Sequence, residues 1–258
     1  MTLAHDVAGA GPALVLVHAG ACDRRMWDPQ WTALVDAGYR VVRCDLRGFG
    51  ESPAPDRPYD NAGDVIELLG SLGIGRAALV GSSYGGRVAL ETAARRPEMV
   101  TALALLCSDL PAHVPGDALR AFGRREDELI AAGDVEGAVE LNVETLLGPE
   151  ADATVRERLR RMQRRAFEVQ LAAPEEFAQV ATVADLSLIT APCLAVSGGH
   201  DLPDFREIAA ALPVRLAGAR HVELPWAGHL PSLERPDAVT DLLKRFLNEV
   251  WPSAGGRR

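Results

Sequence analysis

The segment Gly81-Ser82-Ser83-Tyr84-Gly85-Gly86 contains the pattern G-x-S-x-G, with Ser83 at its centre. The apolar run Ala77–Val80 precedes it directly, and the helix-like stretch Arg87–Arg96 follows it. A strand that turns sharply into a helix is the context in which this pattern presents a nucleophilic serine. Glycines suit such a turn because a Cβ atom would block its backbone angles and its close packing. We therefore predict that Ser83 lies exposed at a helix N-terminus, above the carboxyl edge of a sheet.

Two other interpretations of this segment were weighed. An ordinary glycine-rich turn is the simpler one, and the flanking strand and helix count against it. The spacing from Gly81 to Gly86 also fits the start of a phosphate-binding loop, which continues with Lys and then Ser or Thr. This chain continues with Arg87 and Val88 instead. The lysine for the γ-phosphate and the hydroxyl for Mg²⁺ are missing, so the pattern does not favour nucleotide binding.

Short apolar runs alternate along the chain with stretches of helical spacing. Ala13–Val17 and Val100–Leu106 are apolar at nearly every position, as expected of parallel strands that are buried on both faces. Stretches such as Ala62–Leu72 lie between these runs and have helical periodicity. The alternation predicts the α/β class, with a mostly parallel, doubly wound sheet.

The alternation stops between residues 111 and 185, where no convincing strand is found. Three helices are predicted there instead. They cover Ala118–Ala132, Val135–Leu147 and Ala153–Leu171. Asp134 and Asp152 stand where helix N-caps are expected, and the apolar residues of the third stretch recur at intervals of three and four. An insertion this long is more than a loop, so we interpret it as a helical cap on the sheet.

The predicted domain organisation follows from this insertion. Residues 1–110 form the first part of an α/β core, and the cap, residues 111–185, is inserted after the fifth predicted β-run. Residues 186–258 complete the core. The last eight residues, 251–258, contain Pro, Ser, Gly and Arg without apolar periodicity, and are expected to be a frayed tail.

The composition excludes several classes of protein. The chain has 258 residues, of which 48% are hydrophobic, and a net charge of −9. An acidic chain lacks the positive surface that nucleic acid requires, and it is not attracted to an anionic membrane. No apolar run reaches the ~18 residues of a membrane helix. Because no Lys or Arg precedes Arg24, a signal peptide is not expected, and we predict a cytoplasmic protein.

The four cysteines do not indicate a metal site. They are widely spaced and form no C-x-x-C pair, which argues against a zinc cluster and against a thioredoxin-like motif. We expect them to be small buried residues in a reducing compartment. No metal and no organic cofactor is predicted.

A serine hydroxyl becomes a good nucleophile only when a base takes its proton, and the usual base is an imidazole. Of the six histidines, His229 is the one in a Gly/Pro-bounded loop that follows a strand and precedes the final helix. Such a loop lies at the carboxyl edge of the sheet, where open α/β sheets carry their sites. We expect His18 to be a structural hydrogen-bonding residue beneath the site, and His200 and His221 to lie at the surface. A pocket-lining role for His113 is left open.

The base needs an acid that orients its ring. Asp201 follows the run Cys193–Val196 and the segment Ser197–His200, which places it at the same edge of the sheet. Asp109 and Asp204 are the two alternatives. The three candidate residues occur along the chain in the order serine, aspartate, histidine. One hydrolase fold has its catalytic residues in this order, whereas the two serine-protease folds have them in other orders.

A tetrahedral oxyanion requires two amide donors. The residue after the nucleophile, Tyr84, supplies one. The loop after the first predicted run, His18-Ala19-Gly20-Ala21, is expected to supply the other. We favour the Gly20 amide, with Ala19 as the alternative.

Together these motifs resemble those of α/β-hydrolases with a helical cap, and in particular the branch around the 3-oxoadipate enol-lactonases and small carboxylesterases. The resemblance extends over nearly the whole chain. It rests on Val17-His18-Ala19-Gly20, Asp45-Leu46-Arg47-Gly48-Phe49-Gly50-Glu51-Ser52, the segment around Ser83, Gly198–Asp201, and Gly228-His229 with Glu234-Arg235-Pro236. Two positions depart from the family pattern. Ala19 stands where relatives usually have Gly, and Tyr84 stands where many lactonase-like relatives have Met. We expect the Tyr84 ring to narrow the acyl pocket.

The resemblance implies a serine hydrolase that cleaves a small-molecule carboxylic ester or lactone through an acyl-enzyme. Its triad would be Ser83, Asp201 and His229. Dehalogenases and epoxide hydrolases on this scaffold use an aspartate nucleophile, so Ser83 counts against both. Two alternatives stay open: a cofactor-free lyase or C–C bond hydrolase with the same triad, and a triad-retaining sensor of a small molecule. The sequence leaves open the substrate's identity and the oligomeric state.

Overall fold

A computed structural model describes residues 3–180 and 184–251 of the chain. In these residues, seven strands form one sheet: β1 His5–Ala8, β2 Ala13–Val17, β3 Arg40–Cys44, β4 Ala77–Ser82, β5 Val100–Leu106, β6 Cys193–Gly198 and β7 Ala219–Leu224. The same residues contain nine α-helices: α1 Asp28–Asp36, α2 Asn61–Ser71, α3 Tyr84–Arg95, α4 Asp117–Ala131, α5 Val135–Leu146, α6 Ala153–Leu171, α7 Pro203–Arg215, α8 Pro231–Glu234 and α9 Pro236–Val250.

The strand order in the sheet is β1-β3-β2-β4-β5-β6-β7. Every neighbouring pair is parallel except β1 with β3, which is antiparallel. The prediction of a mostly parallel sheet is therefore confirmed. Strand β1 was not predicted from the sequence. It has only four residues, of which three are half-buried and one is exposed, and it lies at the edge of the sheet. It therefore lacks the continuous apolar run of the central strands.

The sheet is covered by helices on both faces, as a doubly wound arrangement requires. Neighbouring side chains of a strand point to opposite faces of the sheet. Because both faces are covered here, all five residues of β2 are buried. Leu14 and Leu16 pack in a cluster with residues of α1 and α9, whereas Val15 and Val17 pack in a second cluster with residues of α2, α3 and α7. The apolar run thus reflects two buried faces, as its composition indicated.

Between β5 and β6 the chain forms α4, α5 and α6, and each lies within one residue of its predicted position at both ends. The side chains of Asp134 and Asp152 accept hydrogen bonds from the amides of Gly137 and Val155, which confirms both predicted N-caps. Helices occupy 117–171 of the predicted range 111–185, and residues 181–183 lie outside the described residues.

Helices α5 and α6 share a core with the sheet, whereas α4 does not. Leu159 and Met162 of α6 are buried in the same cluster as Val143 and Leu146 of α5 and the inner side chains of β2. In contrast, α4 has no fully buried residue. Helix α4 is therefore held less tightly than its two neighbours.

The end of the chain is described only in part. Trp251 packs its ring 5.9 Å from that of Tyr39, measured between centroids, and its amide donates to the Leu247 carbonyl. The rest of the predicted tail, 252–258, lies outside the described residues. Within residues 3–180 and 184–251, no helix combines the length and the apolar character needed to cross a membrane.

Replacement of Gly85 with alanine should destabilise the fold. A Cβ at this position would lie 2.4 Å from the Val17 carbonyl oxygen and 2.5 Å from that of His18, and backbone atoms cannot easily give way. We expect the free energy of unfolding to fall by ~1–3 kcal/mol, measured by urea denaturation. Gly123→Ala, inside α4 with nothing within 4 Å of the new Cβ, is the control. It should raise stability by ~0.5–1 kcal/mol. Equal effects of the two substitutions would contradict this account.

Candidate active site

Ser83 connects β4 to α3 with an unusual backbone conformation. Its φ is 50° and its ψ is −116°, which a residue with a Cβ rarely adopts and which costs ~1–3 kcal/mol. Its amide donates to the Leu106 carbonyl at 2.9 Å. Its carbonyl accepts from Gly86, Arg87 and Asp109 amides at 2.9, 3.2 and 3.1 Å. These bonds from α3 and from the segment at and just after the end of β5 hold the serine in its strained turn, between the strand and the helix that the sequence predicted.

His229 and Asp201 form a buried hydrogen-bonded pair. Nδ1 of His229 lies 2.9 Å from each carboxylate oxygen of Asp201, and the two residues are 2% and 6% exposed. This contact places the ring proton on Nδ1 and leaves Nε2 free to accept a proton. The Phe205 ring packs 4.1 Å from the imidazole, between centroids, and restricts its rotation.

The other two candidate acids have different partners. Asp204 contacts Nε2 of His113 at 2.8 Å and accepts from the Gly116 amide at 2.6 Å, so it fastens the chain before α4. Asp109 lies 3.6 Å from the Arg87 guanidinium. Of the three aspartates considered from the sequence, Asp201 is the one that contacts His229.

The positions of three further histidines, His113, His200 and His221, can be compared with those predicted from the sequence. His113 lines a side cavity that also reaches Ser83, and it is not in the lining of the cavity that contains His229. His200 is exposed, as expected. His221 is half-buried and its Nε2 lies 2.8 Å from the Ser197 hydroxyl, so it is less exposed than predicted.

His18 is confirmed as a buried hydrogen-bonding residue. Its Nδ1 donates to the Ala19 carbonyl at 2.9 Å, and its Nε2 accepts from the Leu46 amide at 2.9 Å. Burial lowers the pKa of His18, so the ring is neutral at pH 7 and keeps both bonds. The ring thereby links the loop after β2 to the loop after β3.

The loop that carries His229 is tied to the end of α5. The His229 amide donates to the Leu146 carbonyl at 2.8 Å. The Glu234 carboxylate accepts from the Gly228 amide and from the Gly148 amide, each at 3.0 Å. Burial raises the pKa of Glu234. Sequence reasoning missed these supporting contacts because their partners lie up to 86 positions apart.

Cys107 also lies against the His229–Asp201 pair. Its Sγ approaches the Gly228 carbonyl at 3.8 Å, and its Sγ, one Asp201 oxygen and one His229 nitrogen lie within 4.8 Å of one another. That spacing would suit a metal ion, but His229 already donates to Asp201. Burial also raises the pKa of the Cys107 thiol well above its usual value, so it is protonated and a poor metal ligand.

The predicted oxyanion donors lie next to each other. A Cβ built on Gly20 would be 3.6 Å from the Tyr84 Cβ. Tyr84 is the first residue of α3, and first-turn amides have no partner within their own helix. The alternative donor, Ala19, directs its amide to the Met26 sulfur at 3.3 Å. Gly20 is therefore better placed than Ala19 to supply the second donor.

A cavity of about 700 Å³ brings these residues together. Its wall includes Ser83, His229, Gly20 and Tyr84, together with side chains from α4, α5 and α6. The Tyr84 hydroxyl accepts from the Asn61 amide at 2.6 Å and donates to Gln179 Oε1 at 2.8 Å. Burial raises the pKa of Tyr84, so the hydroxyl stays protonated and its ring is held in place beside the serine.

Comparison with known proteins agrees with this geometry. Residues 14–242 match the model of the alpha/beta hydrolase family. An esterase from Thermogutta terrifontis is 28% identical, with a TM-score of 0.78 over 96% of this chain and 93% of its own. An enol-lactonase from Burkholderia xenovorans is also 28% identical, with a TM-score of 0.78 over 95% of this chain and 96% of its own.

Curated relatives give a similar picture. A protein from Klebsiella pneumoniae that carries the provisional name carbamate hydrolase is 30% identical over 238 residues, 88% of each chain. An epoxide hydrolase from Caballeronia sordidicola is 38% identical, but over only 100 residues, which are 37% of this chain and 30% of that protein. The three full-length relatives described above are thus named for ester, lactone and carbamate bonds.

Proposed function

The chain belongs to the alpha/beta hydrolase family, and on that premise we propose that it is a serine hydrolase of a small-molecule carboxylic ester or lactone. The observation that carries the proposal is the buried His229–Asp201 pair beside the same cavity as the strained Ser83. A nucleophile, an oriented base and an acid on one cavity are the parts that acyl transfer requires. No cofactor is needed for this chemistry.

In the proposed mechanism, Ser83 Oγ attacks the substrate carbonyl while His229 Nε2 takes its proton. The carbonyl oxygen becomes an anion, which the Gly20 and Tyr84 amides stabilise at the N-terminus of α3. His229 then donates the proton to the departing alkoxide, and the acyl group stays on Ser83. A water molecule, deprotonated by His229, then attacks the acyl carbonyl, the bond to Ser83 Oγ breaks as His229 returns the proton to Oγ, and the acid is released. Asp201 stabilises the imidazolium formed in each half of the cycle.

We also propose that residues 111–185 act as a cap that shapes the substrate site. Leu119 and Phe122 of α4 are apolar and line the cavity, and Ile130 lines it while also packing against Ala138, Val139 and Phe167. The partial match to an epoxide hydrolase does not alter the proposal. It covers 37% of this chain, and the turn after β4 carries a serine in place of the aspartate that such enzymes use.

Ser83→Ala should abolish ester turnover. If the triad acts as a unit, loss of the nucleophile lowers kcat by up to ~10⁶-fold. The measurement is p-nitrophenyl acetate hydrolysis, with circular dichroism to verify folding. Ser82→Ala is the matched control, because this neighbouring hydroxyl is buried in β4 and has no hydrogen-bond partner within the described part of the chain. The control should keep activity, and a Ser83→Ala variant as active as wild type would refute the nucleophile.

Asp201→Asn should leave the fold intact and lower kcat by ~10⁴-fold, because the amide favours the wrong imidazole tautomer. Asp204→Asn is the control, since its carboxylate bonds to His113 and to the Gly116 amide rather than to His229. It should stay within about tenfold of wild type, a loss far smaller than that of a triad residue. A mild Asp201→Asn together with a severe Asp204→Asn or Asp109→Asn would assign the acid elsewhere.

A further inference from the structure

The lining of the cavity also contains polar side chains from three helices. Glu126 comes from α4, Asn142 from α5 and Gln163 from α6, and all three line the cavity. Asn142 and Gln163 are only 3% and 4% exposed. Nδ2 of Asn142 donates to Glu126 Oε1 and to the Ala138 carbonyl, the latter at 3.0 Å. We refer to these three residues as the acceptor cluster.

Two oxygens of the acceptor cluster lack a donor in the described part of the chain. Oε1 of Gln163 is buried and has no hydrogen-bond partner in the described residues, which costs ~1–3 kcal/mol. Because Asn142 uses its amide protons for Glu126 and Ala138, its oxygen is the group left to accept. No Lys, Arg or His of residues 3–180 and 184–251 forms an ion pair with Glu126. The Asn142 and Gln163 oxygens are therefore left without a donor from the described residues.

The charged residues that line the cavity are mostly carboxylates, which also accept hydrogen bonds. Four carboxylates line it, those of Glu126, Asp127, Glu175 and Glu176, and the last three are exposed. The one guanidinium in the lining, Arg47, is already bonded to Asp64, with both contacts at 2.5 Å. A concave surface lined by one sign of charge raises the local concentration of ligands of the opposite sign.

We propose that the acceptor cluster binds a cationic hydrogen-bond donor, such as a primary ammonium group, at the end of the substrate away from the scissile carbonyl. An ammonium has three N–H donors and no acceptor, and the cluster offers oxygens from Glu126, Asn142 and Gln163. The inference rests on the proposed function and names its substrate class, esters or lactones that bear an amine. Acidic substrates, whose carboxylate would meet four like charges, are disfavoured.

Burial supports this assignment. Desolvation raises the pKa of the Glu126 carboxyl, and the neighbouring Asp127 charge raises it further. A bound cation relieves both effects, because it replaces lost water contacts and compensates the carboxylate charge. A bound carboxylate would instead increase both the desolvation of Glu126 and the repulsion between negative charges.

The test is direct binding, which requires no turnover. Isothermal titration calorimetry with n-hexylammonium, 1-hexanol and hexanoate compares three head groups on the same six-carbon chain. At pH 7 and low salt we expect n-hexylammonium to bind at least ~10-fold more tightly than 1-hexanol, and hexanoate to bind most weakly. Equal affinities for n-hexylammonium and hexanoate would overturn the proposal.

Two variants test whether Glu126 causes the preference for n-hexylammonium over 1-hexanol. Glu126→Gln should reduce the advantage of n-hexylammonium over 1-hexanol to less than about threefold, because it removes the only charge in the cluster. Glu128→Gln, exposed on the same helix and bonded to Arg125 at 3.1 Å, should retain the full advantage. An advantage that survives in Glu126→Gln would show that other groups bind the cation.

Failure of the two proposals can be told apart. The same titration on Ser83→Ala should give the wild-type order of affinities, because the serine does not contact the cluster's ligand. An inactive wild-type protein that still prefers n-hexylammonium would refute the hydrolase mechanism and leave the cation site standing. An active wild-type protein that does not prefer n-hexylammonium would refute the cation site and leave the hydrolase mechanism standing.

Discussion

The site depends on the backbone of Ser83 being held where an L-residue is not normally stable. Its positive φ is imposed by hydrogen bonds to Leu106 and Asp109, at the end of β5 and just beyond it, and to the first turn of α3. The turn also requires Gly85, whose missing Cβ lets α3 lie against the Val17 and His18 carbonyls. The strands on either side of β4 therefore contribute to the position of one hydroxyl. The ~1–3 kcal/mol of strain is offset by these contacts, and the gain is a side chain fixed at the sheet edge.

A second constraint connects the base to the helices above the sheet. The His229 amide bonds to the last residue of α5, and Glu234 bridges the Gly228 and Gly148 amides. A displacement of α5 would thus move the loop that carries the imidazole. Helix α4 is fastened before its first turn, through Asp204 and the Gly116 amide, and along its length through Glu126, which accepts a hydrogen bond from Asn142 of α5. The α4 side of the cavity and the loop that carries His229 are consequently supported by different contacts, although both reach α5.

Local features of the structure were predictable from the sequence, and most contacts between distant segments were not. The turn at Ser83 and the caps at Asp134 and Asp152 depend on residues within a few positions, so their chemistry could be seen in the sequence. Strand β1 lacks such a signal because an edge strand needs no apolar run. The pairing of Asp201 with His229 was predicted, because both residues lie in loops at the carboxyl edge of the sheet. The acceptor cluster was not, because it depends on the angles between three helices, which no sequence periodicity encodes.

The central claim is that Ser83 is the nucleophile, and covalent trapping tests it most directly. The wild-type protein, treated with a fluorophosphonate and digested, can be mapped by mass spectrometry. The account predicts a single adduct, located on Ser83, because only a serine beside an oriented imidazole is activated for attack on phosphorus. An unmodified protein, or an adduct on another residue such as Ser82 with Ser83 intact, would contradict it.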